Sequence, residues 1–230
     1  MTPVVRWWSN MRLEDSTIGS GDLSSVSLQS RPVLVVENFW SAEERQFFRA
    51  GMNQVAWKSL SDLKNVREDF PNSGNWAKAE IGSAEAEHFL SRLQLPCIQE
   101  HIESFSNIIR RHVGFNYYSY SAGDCLLTHD DTDQGRLVEG RRAPKRRIAV
   151  VTYFHEEWQP DWGGELIIYE QRTDRDKRPI NLMPTHCIEP LPGSLVMFTV
   201  PRFHRVCRVD PTAGRHRRLS IAGWFMTEHS

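Results

Sequence analysis

The chain has 230 residues, 40% of them hydrophobic and 25% charged, so it is long enough to bury one full core and we expect a single domain. Its formal net charge of -1 and its pI near 6.8 lack the sustained positive field that nucleic acids and anionic membranes require, so we expect neither as a partner. Four sparse cysteines, together with no signal-peptide pattern and no membrane-length apolar run, predict a cytoplasmic protein.

The N-terminal segment differs in composition and periodicity from the rest of the chain. Residues 1–30 are rich in Ser and Gly and follow no helix or strand period, so we predict either a mobile arm or a surface wrap there and one folded domain over 31–230. Residues 33–39 (VLVVENF) form an apolar run that predicts a buried strand. Ser41 and Glu44 have the spacing of a capping box, which predicts the start of a helix.

Two further helices are predicted before residue 115. One lies near residues 84–93. The other is predicted to start at Pro96 and to stop at Gly114, because isoleucines and a phenylalanine recur there at helical spacing. The residues of this apolar stripe are Ile98, Ile102, Phe105, Ile108 and Ile109.

From residue 116 onward, short β-branched and aromatic runs alternate with Gly, Pro and Asp, which is typical of an antiparallel sandwich or barrel. The runs are NYYSYSA, CLLTHDD, RRIAVVTYF, GGELIIYE, GSLVMFTV, HRVCRV and RLSIAGWFM. Helices followed by strands predict an α+β domain in which N-terminal helices buttress the β core. We read residues 132–145 and 171–185 as polar loops, and Gly163 with Gly164 as a bend where backbones approach closely.

The candidate metal ligands begin with His129 and Asp131. On a strand, residues i and i+2 project to the same side, so this pair can chelate one ion. A non-haem Fe(II) site needs two imidazoles and one carboxylate on one face of the metal. His204, at the start of a later strand run, is the candidate for the second imidazole.

Two other pairs show the same His-x-carboxylate pattern. His101 and Glu103 lie in the isoleucine-striped helix, where residues i and i+2 point about 200° apart and cannot meet at one ion. His155 and Glu157 end a strand, where the period of 2 could still hold, and we favour a solvated strand end for them.

Taken in order, these motifs resemble the Fe(II)/2-oxoglutarate oxygenase superfamily and, within it, the prolyl 4-hydroxylase-like branch. The resemblance covers most of residues 33–226 through the segments VLVVENFWSAEE, YSAGDCLLTHDD, RRIAVVTYFHEEW, GGELIIYE, EPLPGSLVMF, FHRV and RRLSIAGWF. It implies a double-stranded β-helix, which is a jelly-roll-like core with the metal in its mouth. It also implies Fe(II), O₂ and 2-oxoglutarate as co-substrate, with ascorbate as a supporting reductant.

The resemblance further implies roles for individual residues. The iron ligands fall on His129, Asp131 and His204, and the residue that binds the distal carboxylate of 2-oxoglutarate falls on Arg218. A planar guanidinium suits that task because it can donate two parallel hydrogen bonds to a carboxylate. Nearby Arg217 points to the opposite side of the strand, and Arg215 is placed in the preceding turn.

Further residues are expected around the co-substrate. Tyr120 and Tyr153 match family tyrosines that orient 2-oxoglutarate, and each could equally be a core aromatic. Ser220 shares the face of Arg218 and could bind the same carboxylate. Leu166 and Trp224 are expected to form pocket walls.

The implied activity is hydroxylation of a C–H bond in an amino-acid, peptidyl or small-molecule substrate, with prolyl peptides among the candidates and with release of succinate and CO₂. Asp131 favours hydroxylation, since the radical halogenases of this superfamily have a small residue at that position. A cupin-like metal-binding or regulatory domain without turnover is the alternative. An interaction module built on Trp57 and Trp76 ranks last. Substrate and oligomeric state stay open.

The segment that follows the metal motif is basic. Residues 132–147 contain six Lys or Arg residues and two acidic residues. Two interpretations stay open: the segment attracts an anionic substrate, or it is a solvated loop.

Overall fold

The structure, a computed structural model, describes residues 4–8, 33–103, 105–109, 114–132, 137–138, 141–142, 144–173, 176 and 178–228. The helices of this part are α1 (Ala42–Met52), α2 (Lys64–Asp69), α3 (Ser83–Arg92) and α4 (Pro96–Glu103). The strands that precede residue 115 are β1 (Val4–Trp8), β2 (Val33–Glu37), β3 (Lys58–Ser59), β4 (Ala77–Glu80) and β5 (Ile108–Ile109). The later strands are β6 (Asn116–Tyr120), β7 (Leu126–His129), β8 (Leu137–Val138), β9 (Arg141–Arg142), β10 (Lys145–Tyr153), β11 (Leu166–Thr173), β12 (Pro179–Ile188), β13 (Leu195–Thr199), β14 (His204–Val206) and β15 (Arg218–Thr227).

Two antiparallel sheets form the core. The larger sheet has the order β1-β2-β13-β10-β15-β6-β4-β3, with β5 paired to β15, and the smaller sheet has the order β12-β11-β14-β7. Strands β8 and β9 pair with each other. This arrangement confirms the predicted α+β class with a double-stranded β-helix core. None of the described helices is long and apolar enough to cross a membrane.

Neighbouring residues of the larger sheet face two different cores, because side chains alternate along a strand. Val150 packs on the outer face with Phe48 and Phe89 of the helices. Val151 packs on the inner face with Leu166 and Ile168 of the smaller sheet. The helices therefore support the sheet from outside and leave the space between the sheets for the site.

Helix α1 begins with the predicted capping box. The Ser41 hydroxyl accepts the Glu44 N–H at 3.2 Å, and the Glu44 carboxylate accepts the Ser41 N–H at 2.9 Å. Both bonds satisfy donors that the first turn of a helix cannot satisfy by itself. The predicted strand at residues 33–39 and the helix near residues 84–93 are likewise confirmed as β2 and α3.

The long helix predicted from Pro96 to Gly114 was wrong in its second half. Helix α4 ends at Glu103, and Ile108 and Ile109 form β5, which pairs with the C-terminal part of β15. Asn107 adopts a left-handed φ of 61°, which asparagine tolerates and a helix does not. The isoleucines fit the helical period, but backbone pairing with β15 decides their structure.

The insertion predicted as a loop over residues 171–185 is mostly strand. Strands β11 and β12 pair continuously, from Leu166 opposite Ile188 to Thr173 opposite Pro179. Residues 170–173, in the outer half of this hairpin, are all polar and exposed, so they lack the apolar alternation that marks a half-buried strand.

The strand pairing at the N-terminus was also not predicted. Within the segment expected to be a mobile arm or a surface wrap, β1 pairs with β2 from Val4 opposite Glu37 to Trp8 opposite Val33 and forms the edge of the larger sheet. Residues 1–3 and 9–30 of the predicted arm lie outside the described residues.

Candidate active site

Three side chains of types that can bind a metal converge at the end of the smaller sheet. Strands β7 and β14 are neighbours, and their register sets His129 directly opposite His204. His129 Nε2 lies 3.4 Å from Asp131 Oδ1, and His204 Nε2 lies 3.4 Å from Asp131 Oδ2. One ligand atom from each residue lies within 4.8 Å of the others. Two imidazoles and one carboxylate in this arrangement are the donor set of non-haem Fe(II) sites.

Asp131 reaches the histidines through a turn and not through strand alternation. Strand β7 ends at His129, and Asp131 has a left-handed φ of 61°. The Asp130 carboxylate accepts the Thr132 N–H at 2.9 Å within this turn. The predicted pair therefore meets, but the strand geometry from which it was predicted is not the cause.

Both histidines present Nε2 to the common point. Backbone carbonyls accept the Nδ1–H groups, from His129 to Leu127 O at 2.7 Å and from His204 to Arg202 O at 2.8 Å. A carbonyl only accepts, so each Nδ1 carries the proton and each Nε2 keeps its lone pair for a metal. The backbone thus selects the tautomers that a metal requires.

The ionisation of the buried groups agrees with metal binding. Burial raises the pKa of Asp131, but its contacts with His129, His204 and Trp224 outweigh burial and lower that pKa to about 2. Burial is the main cause that lowers the pKa of His204 to about 4. At neutral pH the site therefore offers a carboxylate and a neutral imidazole, which are the metal-binding forms.

Two residues of the larger sheet hold the Asp131 carboxylate. Trp224 Nε1 donates to Asp131 Oδ2 at 2.7 Å. The Arg146 guanidinium lies 3.8 Å above the Trp224 ring and places Nη1 3.6 Å from Asp131 Oδ1. Trp224 is thus more than the predicted pocket wall, and the role of Arg146 was not predicted, since no motif marks it among the basic residues of its segment.

We predict that Trp224→Phe weakens metal affinity about 10-fold, because partners that orient a ligand typically contribute that much. Mn(II) titration monitored by calorimetry measures the change. Trp162→Phe is the matched control, since the Trp162 ring stacks on His216 and not on a residue of the His129, Asp131 and His204 cluster. Equal Mn(II) affinity in Trp224→Phe and wild type would show that the indole N–H does not orient Asp131.

Arg218 lies between the sheets at the start of β15 with 1% of its surface exposed. Its Nε donates to Gly164 O at 2.8 Å and its Nη2 donates to Tyr153 Oη at 3.1 Å. The guanidinium also lies over the rings of Tyr153 and Tyr120, at 4.8 and 5.4 Å. No carboxylate among the described residues pairs with it, so this buried cation lacks a protein counter-ion.

The sheet register explains how the predicted co-substrate residues meet. Arg218 lies opposite Tyr120 on β6, and Ser220 lies opposite Tyr153 on β10. The Ser220 hydroxyl is buried and has no hydrogen-bond partner among the residues that the structure describes. A buried unpaired hydroxyl is costly, and so is a buried cation without an anion. The residues present therefore fit a bound carboxylate. Arg215 and Arg217, the competing arginines, are exposed.

Burial also shifts the pKa values of the two tyrosines. Burial raises the pKa of Tyr120 and of Tyr153 against the opposing charge of Arg218, so both phenols stay protonated and can donate a hydrogen bond.

The predicted bend at Gly163 and Gly164 is a close backbone approach. Both residues have positive φ, 67° and 75°, and Gly163 forms a bridge with Val209. A Cβ on Gly164 would lie 3.0 Å from the Arg218 Cδ atom and 3.3 Å from the Trp158 ring. The bend lets the Gly164 carbonyl reach the guanidinium.

We predict that Gly164→Ala lowers stability by about 1–2 kcal/mol, the typical cost of a left-handed conformation for a residue with Cβ, and displaces Arg218 as well. Gly214→Ala is the control, because its φ of 57° is also left-handed while a Cβ there meets nothing within 4 Å. Thermal denaturation measures the stability of both variants. Only Gly164→Ala should also weaken 2-oxoglutarate binding, and equal binding in both variants would contradict the contact with Arg218.

The two competing His-x-carboxylate pairs lie away from the metal site. His101 is buried in α4, as expected of a helix residue. Glu157 is exposed and pairs with His216 at 3.7 Å. The solvated strand end predicted for His155 was wrong, since this side chain is 4% exposed.

The structure describes part of the basic segment. Residues 133–136, 139–140 and 143 lie outside the described residues. Arg146 is engaged with Trp224 and Asp131, so it does not form part of a solvated loop. The attraction of an anionic substrate by the rest of this segment stays a prediction.

Comparison with known proteins identifies the domain. The profile of the 2OG-Fe(II) oxygenase superfamily matches residues 115–226, which include every candidate ligand described above. Residues 115–226 belong to the 2OG-Fe(II) oxygenase superfamily. The chain is also 35% identical over 108 residues to prolyl 3-hydroxylase OGFOD1 of Mus musculus, a match that covers 46% of this chain but only 17% of the mouse protein.

Solved structures extend the likeness in fold beyond the matched segment. A prolyl-4-hydroxylase of Pseudomonas putida superposes with a TM-score of 0.55 at 20% identity, covering 88% of this chain and 96% of that one. A prolyl hydroxylase of Trichoplax adhaerens, solved with a hypoxia inducible factor peptide fragment, superposes with a TM-score of 0.53 at 19% identity, covering 86% and 85%. The likeness in fold to these two proteins therefore extends over most of the chain, beyond residues 115–226.

Proposed function

We propose that this chain is an Fe(II)- and 2-oxoglutarate-dependent dioxygenase that hydroxylates a C–H bond of an amino-acid or peptidyl substrate, with peptidyl proline as the first candidate. The observation that carries the proposal is the pairing of two features between the same sheets. One is a His, Asp and His cluster whose Nε2 atoms face the carboxylate, and the other is a buried arginine without a counter-ion among the described residues.

Each feature has a role in the proposal. His129 Nε2, His204 Nε2 and the Asp131 carboxylate hold Fe(II). Arg218 binds the distal carboxylate of 2-oxoglutarate, with hydroxyl groups of Ser220, Tyr120 and Tyr153 beside it. When bound, Fe(II) and 2-oxoglutarate activate O₂, so that one oxygen atom enters succinate as CO₂ leaves and the other enters the substrate C–H bond. The protein positions these groups and excludes water from them.

The proposal also covers the substrate class, the bounds of the functional unit, the cellular compartment and the partners. The likeness to proteins named as prolyl hydroxylases supports a prolyl peptide over a free amino acid. We propose residues 31–230 as the functional unit, with residues 1–30 as an accessory arm. Cys125, Cys187 and Cys207 are free thiols, which favours a reducing compartment such as the cytoplasm. The near-neutral charge favours neither nucleic acid nor membrane as a partner.

The test is turnover of 2-oxoglutarate. Purified protein with Fe(II), ascorbate and O₂ is expected to release succinate, and a panel of prolyl peptides and free amino acids is expected to contain one that gains one oxygen atom by mass spectrometry. Protein that binds Mn(II) yet neither binds 2-oxoglutarate nor forms succinate would overturn the proposal in favour of a non-catalytic, cupin-like metal-binding domain.

A further inference from the structure

One buried histidine outside the metal cluster lies against the co-substrate residues. His155 follows the end of β10 by two positions and packs its ring 4.8 Å from that of Trp158. It is 4% exposed, although no motif distinguishes it from a solvated strand end. A buried polar ring persists only where its nitrogens have partners, so the partners of His155 indicate what it does.

Both ring nitrogens are bonded to backbone. The Leu219 N–H donates to His155 Nδ1 at 3.3 Å, and His155 Nε2 lies 2.6 Å from Pro190 O. A backbone N–H only donates and a carbonyl only accepts, so the ring is neutral with its proton on Nε2. Burial lowers the pKa of His155 to about 3, which keeps this neutral form at all ordinary pH values.

The Nδ1 atom takes the place of a missing strand acceptor. The pairing of β10 with β15 ends at Tyr153 opposite Ser220, and the next pair would be Phe154 with Leu219. The Phe154 N–H does donate to Leu219 O at 2.9 Å. The Phe154 carbonyl instead accepts from Arg49 Nη1 at 3.0 Å, so the Leu219 N–H finds its acceptor in the imidazole.

Leu219 lies between the two residues that fit the co-substrate carboxylate. Arg218 and Ser220 flank it on β15, and their side chains point to the inner face while Leu219 packs against the outer core. A shift of the Leu219 backbone therefore moves both groups together. The Trp158 indole N–H also donates to Gly163 O at 2.9 Å, beside the glycine whose carbonyl accepts from Arg218.

We propose that His155 is a positioning residue for 2-oxoglutarate binding, which sets Arg218 and Ser220 by accepting the Leu219 N–H. This inference rests on the proposed function. It assigns the effect to one ring atom, Nδ1, and not to the imidazole as a whole. The bond from Nε2 to Pro190 then contributes to stability alone.

Three variants separate the two nitrogens. Asn places its carbonyl oxygen where Nδ1 lies, so His155→Asn keeps an acceptor for Leu219 and loses the bond to Pro190. Gln reaches the position of Nε2, so His155→Gln keeps the bond to Pro190 and loses the acceptor. His155→Leu loses both bonds.

The measurement is calorimetric titration of 2-oxoglutarate into Mn(II)-loaded protein, beside the thermal midpoint of each variant. We expect the Kd for 2-oxoglutarate to rise about 10-fold in His155→Gln and His155→Leu and less than 3-fold in His155→Asn, with Mn(II) affinity unchanged in all three. Thermal midpoints should fall in every variant. His101→Leu, which removes a buried histidine from the helical layer, is the control that should lose stability and keep its 2-oxoglutarate affinity.

The outcomes distinguish this inference from the proposed function. Two results would overturn the role of His155 and leave the proposed function intact. One is equal 2-oxoglutarate affinity in the three variants, and the other is a loss of affinity in proportion to the fall in thermal midpoint. Wild-type protein that binds Mn(II) but not 2-oxoglutarate would overturn the proposed function and this inference with it.

Discussion

Asp131→Asn is expected to reduce succinate formation about 100-fold or more, because it replaces the anionic ligand of the proposed Fe(II) site with a neutral amide. Loss of a ligand should exceed the roughly 10- to 100-fold effect typical of residues that merely orient ligands. Asparagine also tolerates the left-handed φ of 61° at this position, so the backbone should keep its shape. Thermal denaturation with and without Mn(II) provides a second readout, since a metal that binds only the folded state raises the midpoint.

Asp130→Asn is the matched control for this prediction. Asp130 is the adjacent carboxylate, and its Oδ1 atom accepts the Thr132 N–H, a bond that asparagine can keep. We expect this variant to retain both turnover and the rise in midpoint with Mn(II). If Asp131→Asn keeps more than a tenth of wild-type turnover, or gains the same midpoint increase from Mn(II), Asp131 is not a metal ligand.

Arg218→Gln is expected to raise the Kd for 2-oxoglutarate by about 100-fold or more. A hydrogen bond to a charged group contributes about 1.5–3 kcal/mol, and a guanidinium can donate two of them to one carboxylate. Loss of the distal contact should also abolish selectivity, so the variant should bind the monocarboxylate 2-oxovalerate nearly as well as 2-oxoglutarate. Competition between the two acids on Mn(II)-loaded protein measures this selectivity.

Arg217→Gln controls for the loss of one positive charge from the same strand region. Arg217 is exposed, whereas Arg218 is buried, so only Arg218 can contact a ligand between the sheets. The control should bind 2-oxoglutarate as wild type does. A preference for 2-oxoglutarate that survives in Arg218→Gln would place the distal carboxylate elsewhere.

The order of motifs along the chain was sufficient to predict the fold class and the candidate residues. Alternating β-branched runs, separated by turn residues, are a local property, so most strands from residue 116 onward could be predicted from the sequence. Arg218 could be separated from Arg217 for the same reason, because strand neighbours point to opposite faces. The capping box of α1 is equally local, since its two hydrogen bonds join residues three positions apart.

Elements whose structure depends on distant partners were predicted poorly. Ile108 and Ile109 fit the helical period in sequence, but they form a strand because their backbone pairs with β15. Residues 170–173 of β11 include no apolar residue, so only their pairing with β12 makes them a strand. The same holds for β1, which lies in a segment without a period and pairs with β2.

The same distinction between local and distant determinants applies to the candidate site. The sequence by itself determined which residue types are available, two histidines and an aspartate for a metal and an arginine for a carboxylate, because their chemistry belongs to each side chain alone. The tertiary structure decided that β7 and β14 are neighbours, that Asp131 turns inward and that Trp224, Arg146 and His155 support the site. Those contacts join residues that are distant along the chain, and sheet pairing, which brings them together, leaves no trace in the local sequence pattern.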